Sequence, residues 1–215
     1  MKLVKRMSPI AAALVTLAIV GAVGFFAVHQ LKVEARQIVT DTLPGLSYGG
    51  QINAGLSDNF IKTLLAIDAD DPAERAAYLK EIDEGTQKVT ADLQRYAESI
   101  FDEADRERFD ALVQHREKYR QIRQQVFALR EEGRQPEARA LLKGWLWPAY
   151  LEYTRAAEKL FDNNITLGKA RGQSILRVCT ITQLVVTVVG IAVFVGGFLA
   201  PFIVVRYGGA SRVKP

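Results

Sequence analysis

The chain has 215 residues and a formal net charge of +4, from 28 Lys and Arg against 24 Asp and Glu. The positive excess does not indicate a nucleic-acid partner, because residues 32–177 hold 22 of the basic residues and all 24 acidic ones. The single cysteine, Cys179, excludes an intramolecular disulfide; it is expected to pack as a small apolar residue, or else to form a disulfide with another chain. We expect no nucleic-acid partner and no cofactor.

Two stretches without charged residues predict membrane spans. Residues 7–31 and 178–205 contain no Asp, Glu, Lys or Arg, and each stretch exceeds the roughly 20 residues that a helix needs to cross a bilayer. We therefore place transmembrane helices at residues 9–29 and 178–205. The first stretch also resembles a secretory signal peptide, but its apolar run is longer than a typical signal-peptide core, which favours an uncleaved anchor.

The basic residues outside these spans lie near the two termini, and Lys and Arg mark the cytoplasmic side of a membrane. This pattern predicts a protein of the bacterial inner membrane, embedded in the lipid bilayer, with cytoplasmic termini at residues 1–8 and 206–215. Residues 30–177 then form a periplasmic domain. The last ten residues are too few for a folded domain, so we expect no cytoplasmic output domain in this sequence.

Between the spans, apolar residues recur every three or four positions, a pattern that predicts helices. Short connections make successive helices antiparallel neighbours. The predicted fold is therefore all-α: an antiparallel up-down-up-down four-helix bundle flanked by two transmembrane helices.

The first bundle helix is expected to continue out of the first span, with a bend or interruption at Pro44-Gly45. The second is predicted to begin at Asp71, which stands before Pro72 and Glu74 as an N-cap residue stands before a first helical turn. The predicted buried seams are Leu46, Gly49, Asn53, Leu56, Phe60, Leu64 and Ile67 in the first helix, and Leu79, Ile82, Thr86, Val89, Leu93, Tyr96 and Ile100 in the second.

The third helix is expected to begin near Asp102 and to end at Gly133. The fourth opens at Pro136, kinks at Pro148 and enters the second span without a break. The predicted buried seams are Phe109, Leu112, Tyr119, Ile122, Val126 and Leu129 in the third helix, and Leu141, Trp145, Tyr150, Tyr153, Ala157, Leu160, Asn164 and Leu167 in the fourth.

Four segments give this arrangement a family resemblance. They are "TLPGL" at residues 42–46, "DDPAERAAYLKEI" at the second helix, "DEADRERFDAL" at the third and "EEGRQPEARALL" before the fourth. With the two spans, they resemble the four-helix-bundle sensor domain of methyl-accepting chemotaxis proteins. Members of that family continue into a HAMP linker and a cytoplasmic coiled-coil hairpin, whereas this sequence ends at Pro215. We therefore expect a truncated receptor, a fragment, or a protein that acts only by pairing with other receptors.

The resemblance implies a role in chemotaxis and signal transduction. The periplasmic sensor would bind a small molecule or a partner and transmit that event across the membrane by helix displacement, without its own output domain. It would do so as a homodimer or as a heterodimer with full-length receptors. The alternative is a non-sensory accessory or structural protein that binds another periplasmic or membrane protein.

The sequence does not indicate an enzyme or a metal site. His29 and His115 lie 86 positions apart and have no partner cysteine nearby in the chain. The acidic group Asp68, Asp70 and Asp71 lacks the glycine and the distal glutamate of a calcium loop, and helix capping explains it.

The resemblance implies a small-molecule site between helices, often at a dimer interface. Counted from the connecting turns, Lys62 and Trp145 lie at similar heights, so a cation and an amide are expected beside an aromatic cluster that suits a small anionic or aromatic ligand. Alternatively, Trp145 and Tyr153 are core residues and Lys62 is a solvated charge. Nothing basic lies between Arg36 and Lys62, so amino-acid recognition is not indicated. The candidate ligand-binding residues are Asn59, Lys62, Trp147, Tyr150 and Tyr153.

In the second span, Ala192, Gly196 and Ala200 repeat every four residues. Small side chains at this spacing form a stripe along one face of a helix, where another span can approach closely. Such spacing also arises by chance in apolar runs that are rich in glycine. The three residues are candidates for transmembrane packing.

Overall fold

A computed structural model describes the backbone of residues 9–100 and 102–208, and the side chains of residues 14–100 and 102–195. Within these residues all regular structure is helical, in four continuous stretches, so the predicted all-α four-helix bundle is confirmed. Residues 1–8 and most of the predicted tail, 209–215, lie outside the described part. The elements are α1 (Pro9–Gln37), a first π-helical turn (Ile38–Thr42), α2 (Leu43–Asp68), α3 (Pro72–Glu98), α4 (Glu103–Glu131), α5 (Gln135–Leu141), a second π-helical turn (Leu142–Leu146) and α6 (Trp147–Gly208).

The chain divides into two compact units, residues 37–170 and residues 1–36 with 171–215. The first unit holds the bundle core. In the second, two helices are long and apolar enough to cross a membrane. Large apolar side chains such as Phe25 and Leu184 are exposed there, as expected of a helix that is apolar on every side.

The bundle helices begin and end where their capping residues predict. Asp71 accepts a hydrogen bond from the N–H of Ala73 at 3.1 Å, and Asp102 accepts one from the N–H of Ala104 at 2.8 Å. Both side chains satisfy backbone donors that a helix start leaves without a partner. Gly133, with φ of +76°, follows the end of α4, since this left-handed conformation costs glycine little.

Pro44 and Pro148 do not interrupt their helices. The expected break at Pro44-Gly45 is replaced by the first π-helical turn, in which the N–H of Leu43 bonds to the carbonyl of Ile38, five residues back. The second π-helical turn likewise stands before Pro148, with the N–H of Trp147 bonded to the carbonyl of Leu142. A proline cannot donate to the preceding turn and crowds its carbonyl, and a widened turn accommodates both effects.

Of the predicted seam of α3, Ile82, Val89, Leu93 and Tyr96 are buried, and Leu79, Thr86 and Ile100 are partly buried. The predicted seam of α2 is wrong by one residue at three positions: Leu46, Asn53 and Leu64 are only partly buried. Close helix packing explains the difference, because the missing side chain at Gly45 leaves room for Asn164 of α6 against the backbone of α2. The buried residues of α2 are Gly45, Gly49, Ile52, Leu56, Asn59, Phe60, Thr63, Ala66 and Ile67.

The predicted seam of the fourth helix also fails at one point. Trp145 is 66% exposed, and Leu146 is buried in its place. The second π-helical turn inserts one residue relative to a regular α-helix, so the core-facing position passes from residue 145 to residue 146. From Tyr153 onward the seam is correct, with Ala157, Leu160 and Asn164 buried.

Candidate functional site

Three arginines of α4, namely Arg116, Arg120 and Arg123, line a small cavity inside the bundle. The cavity volume is about 20 Å³, enough for one water-sized group. Its walls come from all four helical stretches of the bundle, so it lies between helices and not on one surface. We call it the arginine pocket, and it is lined by Leu56, Asn59, Thr86, Val89, Arg116, Tyr119, Arg120, Arg123 and Tyr153.

The arginines of the pocket bond to neutral acceptors. Arg123, only 8% exposed, donates from Nη2 to the hydroxyl of Thr86 at 3.2 Å. Arg116 donates from Nη2 to the hydroxyl of Thr90 and, at 3.4 Å, to the carbonyl of Thr86. Among the described residues, neither guanidinium has a carboxylate within 4.0 Å.

Of the three, Arg120 alone has a carboxylate within 4.0 Å among the described residues, that of Glu117 at 3.7 Å, and the Glu117 side chain is itself mostly in solvent. Burial lowers the pKa of the Arg116 guanidinium, and the charges of Arg120 and Arg123 lower it further, against the opposing effects of Tyr153 and Glu117. An arginine remains protonated under these conditions. The pocket therefore holds concentrated positive charge in a poorly solvated place.

Two tyrosine hydroxyls in the pocket lack hydrogen-bond partners. Tyr153 is buried and its hydroxyl contacts no acceptor, and Tyr119 is buried beside Thr63 and Arg123 without forming a hydrogen bond of good geometry. Burial raises the pKa of Tyr153 to about 12, so its phenol stays protonated. The side-chain oxygen of Asn59, also buried, has no donor. Each such group costs about 1–3 kcal/mol if it stays unsatisfied.

A row of aromatic rings leads from the surface to this pocket, and we call it the aromatic chain. Trp147, 45% exposed, contacts Phe60 with ring centroids 5.5 Å apart. Phe60 stacks on Tyr150 at 3.9 Å, and Tyr150 lies 6.3 Å from Tyr119. Tyr119 in turn lies 5.9 Å from Tyr153. The guanidinium of Arg123 is placed 5.4 Å from the centroid of the Tyr119 ring, within cation–π range.

Four of the five candidate ligand residues lie in these two features. Asn59 and Tyr153 line the arginine pocket, and Trp147 and Tyr150 belong to the aromatic chain. Lys62 does not join them: its ammonium bonds to Asp58 at 2.8 Å and to Glu81 at 3.1 Å. Hydrogen bonds to Asp58 and then Glu81 raise the pKa of Lys62, so its charge is already balanced by carboxylates.

The three arginines were not predicted as site residues, although their spacing in the sequence places them on one helix face. Residues 116, 120 and 123 follow the i, i+4, i+7 pattern of one helix face, and they interleave with the seam residues Leu112 and Tyr119. Arginines that share a face with an apolar seam were the available signal.

Only part of the stripe predicted in the second span lies within the residues whose side chains the structure describes. Ala192 lies in α6, but Gly196 and Ala200 fall outside the residues whose side chains the structure describes. Within the described part of the unit formed by residues 1–36 and 171–215, an apolar groove is lined by Leu17 and Val20 of α1 and by Val189 and Val193 of α6.

A second buried polar group occupies the other end of the bundle. The Tyr96 hydroxyl donates to both carboxylate oxygens of Asp105, at 3.1 and 3.2 Å. Asn163 donates to Asp105 at 3.1 Å, and Asn164 donates to the Tyr96 oxygen at 2.5 Å. Burial raises the pKa of Asp105, against these hydrogen bonds, and the nearby carboxylates of Asp41 and Asp102 add to the rise.

Comparison with known families gives one match. Residues 1–177 match the family described as a four helix bundle sensory module for signal transduction. The matched range includes the first candidate span and all the residues of the arginine pocket. No individually curated protein matches the chain.

Proposed function

Because the chain belongs to the family of four-helix-bundle sensory modules for signal transduction, we propose that it is a chemoreceptor-like sensor whose bundle binds a small molecule. Binding would be transmitted across the membrane by displacement of α6. The observation that carries this proposal is the arginine pocket, a cavity between helices. Among the described residues, its Arg116 and Arg123 bond only to neutral groups, and two of its tyrosine hydroxyls have no hydrogen-bond partner. A scaffold gains no stability from such a pocket, because a buried charge without a charged partner lowers the stability of the fold.

The arginine pocket also supplies a physical reason for a conformational response. Without a ligand, burial of the Arg116 and Arg123 charges against neutral groups is unfavourable, and hydration of these charges favours separation of α4 from its neighbours. A ligand that satisfies them favours closer packing. A ligand shifts such an equilibrium only by its difference in affinity for the two arrangements, and the uncompensated charges provide that difference.

The geometry of α6 supports transmission through this helix. Tyr153 lines the arginine pocket, and α6 continues without a break from Trp147 to Gly208, through the apolar segment. A continuous α-helix shifts as a unit, since its backbone hydrogen bonds resist local stretching. Small axial or rotational shifts of packed helices are an established form of switching.

We further propose that the spans lie at residues 9–29 and 178–205 in a bacterial inner membrane. The bundle would be periplasmic and both termini cytoplasmic, in agreement with the basic residues near the chain ends. In this arrangement the sensor works as a homodimer or as a heterodimer with full-length receptors. Asn59, Trp147, Tyr150 and Tyr153 are proposed to contact the ligand.

The proposal is tested by measuring helix displacement in the full chain, held in lipid nanodiscs with Cys179→Ala. Spin labels on cysteines at Gln94 of α3 and Lys169 of α6 report the distance between these helices. A thermal-shift screen of amino acids, organic acids and aromatic acids first identifies a stabilising compound. We expect that compound to shift the distance by about 1–2 Å.

The control pair is Gln94 with Lys80, both on α3, and its distance should not change. A stabilising compound that leaves the α3–α6 distance unchanged contradicts the displacement mechanism. If no compound stabilises the protein and crosslinking through the bundle captures one specific protein, the accessory function replaces the sensory one.

A further inference from the structure

The arginine pocket presents hydrogen-bond donors and positive charge, and two of its arginines, Arg116 and Arg123, have no carboxylate within 4.0 Å in the described part of the chain. We infer that it binds a small monoanion, either an inorganic ion or the carboxylate head of a small organic acid. The inference rests on the proposed function, because this anion is the chemical class assigned to the ligand of that site.

The charge pattern of the rest of the bundle supports the inference. Several exposed cations of this chain pair with carboxylates, such as Lys118 with Glu152 at 2.9 Å and Arg139 with Asp68 at 2.9 Å. Arg130, which is largely buried, donates to two backbone carbonyls at the end of α2, at 3.0 and 2.8 Å, and lies 3.7 Å from the carboxylate of Asp70. Arg116 and Arg123 differ from these three cations because, among the described residues, they bond to neutral groups and have no carboxylate within 4.0 Å.

The hydrogen-bonding groups of the pocket point to the same class of ligand. Arg116 and Arg123 use only part of their N–H groups on Thr86 and Thr90, because each guanidinium has five. The unpartnered hydroxyl of Tyr153 is a further donor. Guanidinium and phenol donors together match the oxygens of a carboxylate, and charge-assisted bonds of this kind are about twice as strong as neutral ones.

Size selects among anions. A cavity of about 20 Å³ admits one water-sized group, which fits a halide or one oxygen of a carboxylate and excludes a bulky sulfonate. The rings of Tyr119 and Tyr150 lie next along the aromatic chain. An organic acid whose carboxylate occupies the pocket would therefore have its remainder beside aromatic faces.

The test uses the full chain in detergent micelles and follows thermal unfolding by circular dichroism. Tm is compared in 0.1 M sodium formate, sodium chloride and sodium acetate and in the sodium salt of MOPS, a bulky sulfonate, at equal ionic strength. We expect formate to raise Tm by about 3 °C or more over MOPS, because it binds only the folded state. An equal effect of chloride would identify an inorganic monoanion as sufficient, and an effect confined to formate and acetate would identify a carboxylate head.

Arg123→Gln should lose the formate-specific rise in Tm. Arg116→Gln is measured in parallel, and its rise should also be lost, so the result does not depend on one variant folding. Arg108→Gln is the matched control: it removes the same charge from α4 outside the pocket and should respond like the wild type.

Two results would overturn the inference: a wild-type Tm that is the same in formate, chloride, acetate and MOPS, or a full formate effect in the folded pocket variants. The assay needs no signalling, so it separates the two proposals. Anion-specific stabilisation without a change in the α3–α6 distance would leave the anion site standing and contradict the sensory mechanism. A displacement caused by another ligand, with no effect of the anions on Tm, would support the sensory mechanism and contradict the anion site.

Discussion

Asp105 shows how one buried residue can link the stability of the bundle to pH. The sequence places it three residues after the N-cap Asp102, where carboxylates usually help a helix begin. In the structure it is buried and accepts hydrogen bonds from Tyr96 and Asn163. Its pKa is raised above the ordinary value, chiefly by burial. The folded state therefore holds this proton more tightly than the unfolded chain does.

We predict that Asp105 contributes least to stability at neutral pH. Since its folded-state pKa is raised, its contribution falls as pH rises from about 4 through that pKa. The Tm of the wild type relative to Asp105→Asn should therefore be lower at pH 7 than at pH 4, measured by circular dichroism on the full chain. The exposed Asp110→Asn serves as the control and should show no such trend. A wild-type advantage that grows toward pH 7 would mean that the hydrogen bonds outweigh burial.

The elements differ in how well their sequences predict them. For α3, a strict three-four alternation and a capped start at Asp71 fix both the helix boundary and the buried face. For α2, the predicted face is wrong by one residue at three positions, because Gly45 and Thr63 take core positions that a search for large apolar residues passes over. For the fourth stretch, a π-helical turn shifts the face by one residue, and hydrophobic periodicity alone does not predict such an insertion.

The buried face of α3 gives a direct test of the bundle core. Leu93→Asp places a carboxylate where the side chain is only 4% exposed. A buried charge without a partner should cost at least about 3 kcal/mol, which lowers Tm by about 6–12 °C for a chain of this size. The neighbouring exposed position supplies the control, Gln94→Asp, which should change Tm little. Equal Tm values for the two variants would show that the assigned face of α3 is wrong.

At the scale of the whole molecule, charge and hydropathy predict the architecture. They do not predict which polar groups meet in the interior of the bundle. Uncharged stretches identify the two candidate spans, and helical periodicity identifies the bundle. The arginine pocket was not predicted, because a sequence does not show that Arg123 meets Thr86 and Tyr119 inside the core. The spacing of Arg116, Arg120 and Arg123 places them on one face with the seam of α4, but the groups that meet them there belong to other helices, which a pattern within one helix does not show.

The proposed topology makes a prediction about access from outside the cell. In a Cys179→Ala background, a cysteine at Gln94 should react with a membrane-impermeant thiol reagent once the outer membrane is permeabilised. A cysteine at Ser211 should react only after the inner membrane is opened, because the basic chain ends mark the cytoplasmic side. Labelling at Ser211 but not at Gln94 in intact spheroplasts would reverse the orientation.

Both tryptophans of the chain stand within three residues of each other, Trp145 in the second π-helical turn and Trp147 at the start of α6. Trp145 is mostly in solvent, whereas Trp147 contacts Phe60 and Tyr150. The intrinsic indole emission of the unmodified protein therefore comes from a single place, next to the aromatic chain. A spectral change would report events at this junction, and loosening around Tyr96 and Asp105 would leave the emission almost unaltered.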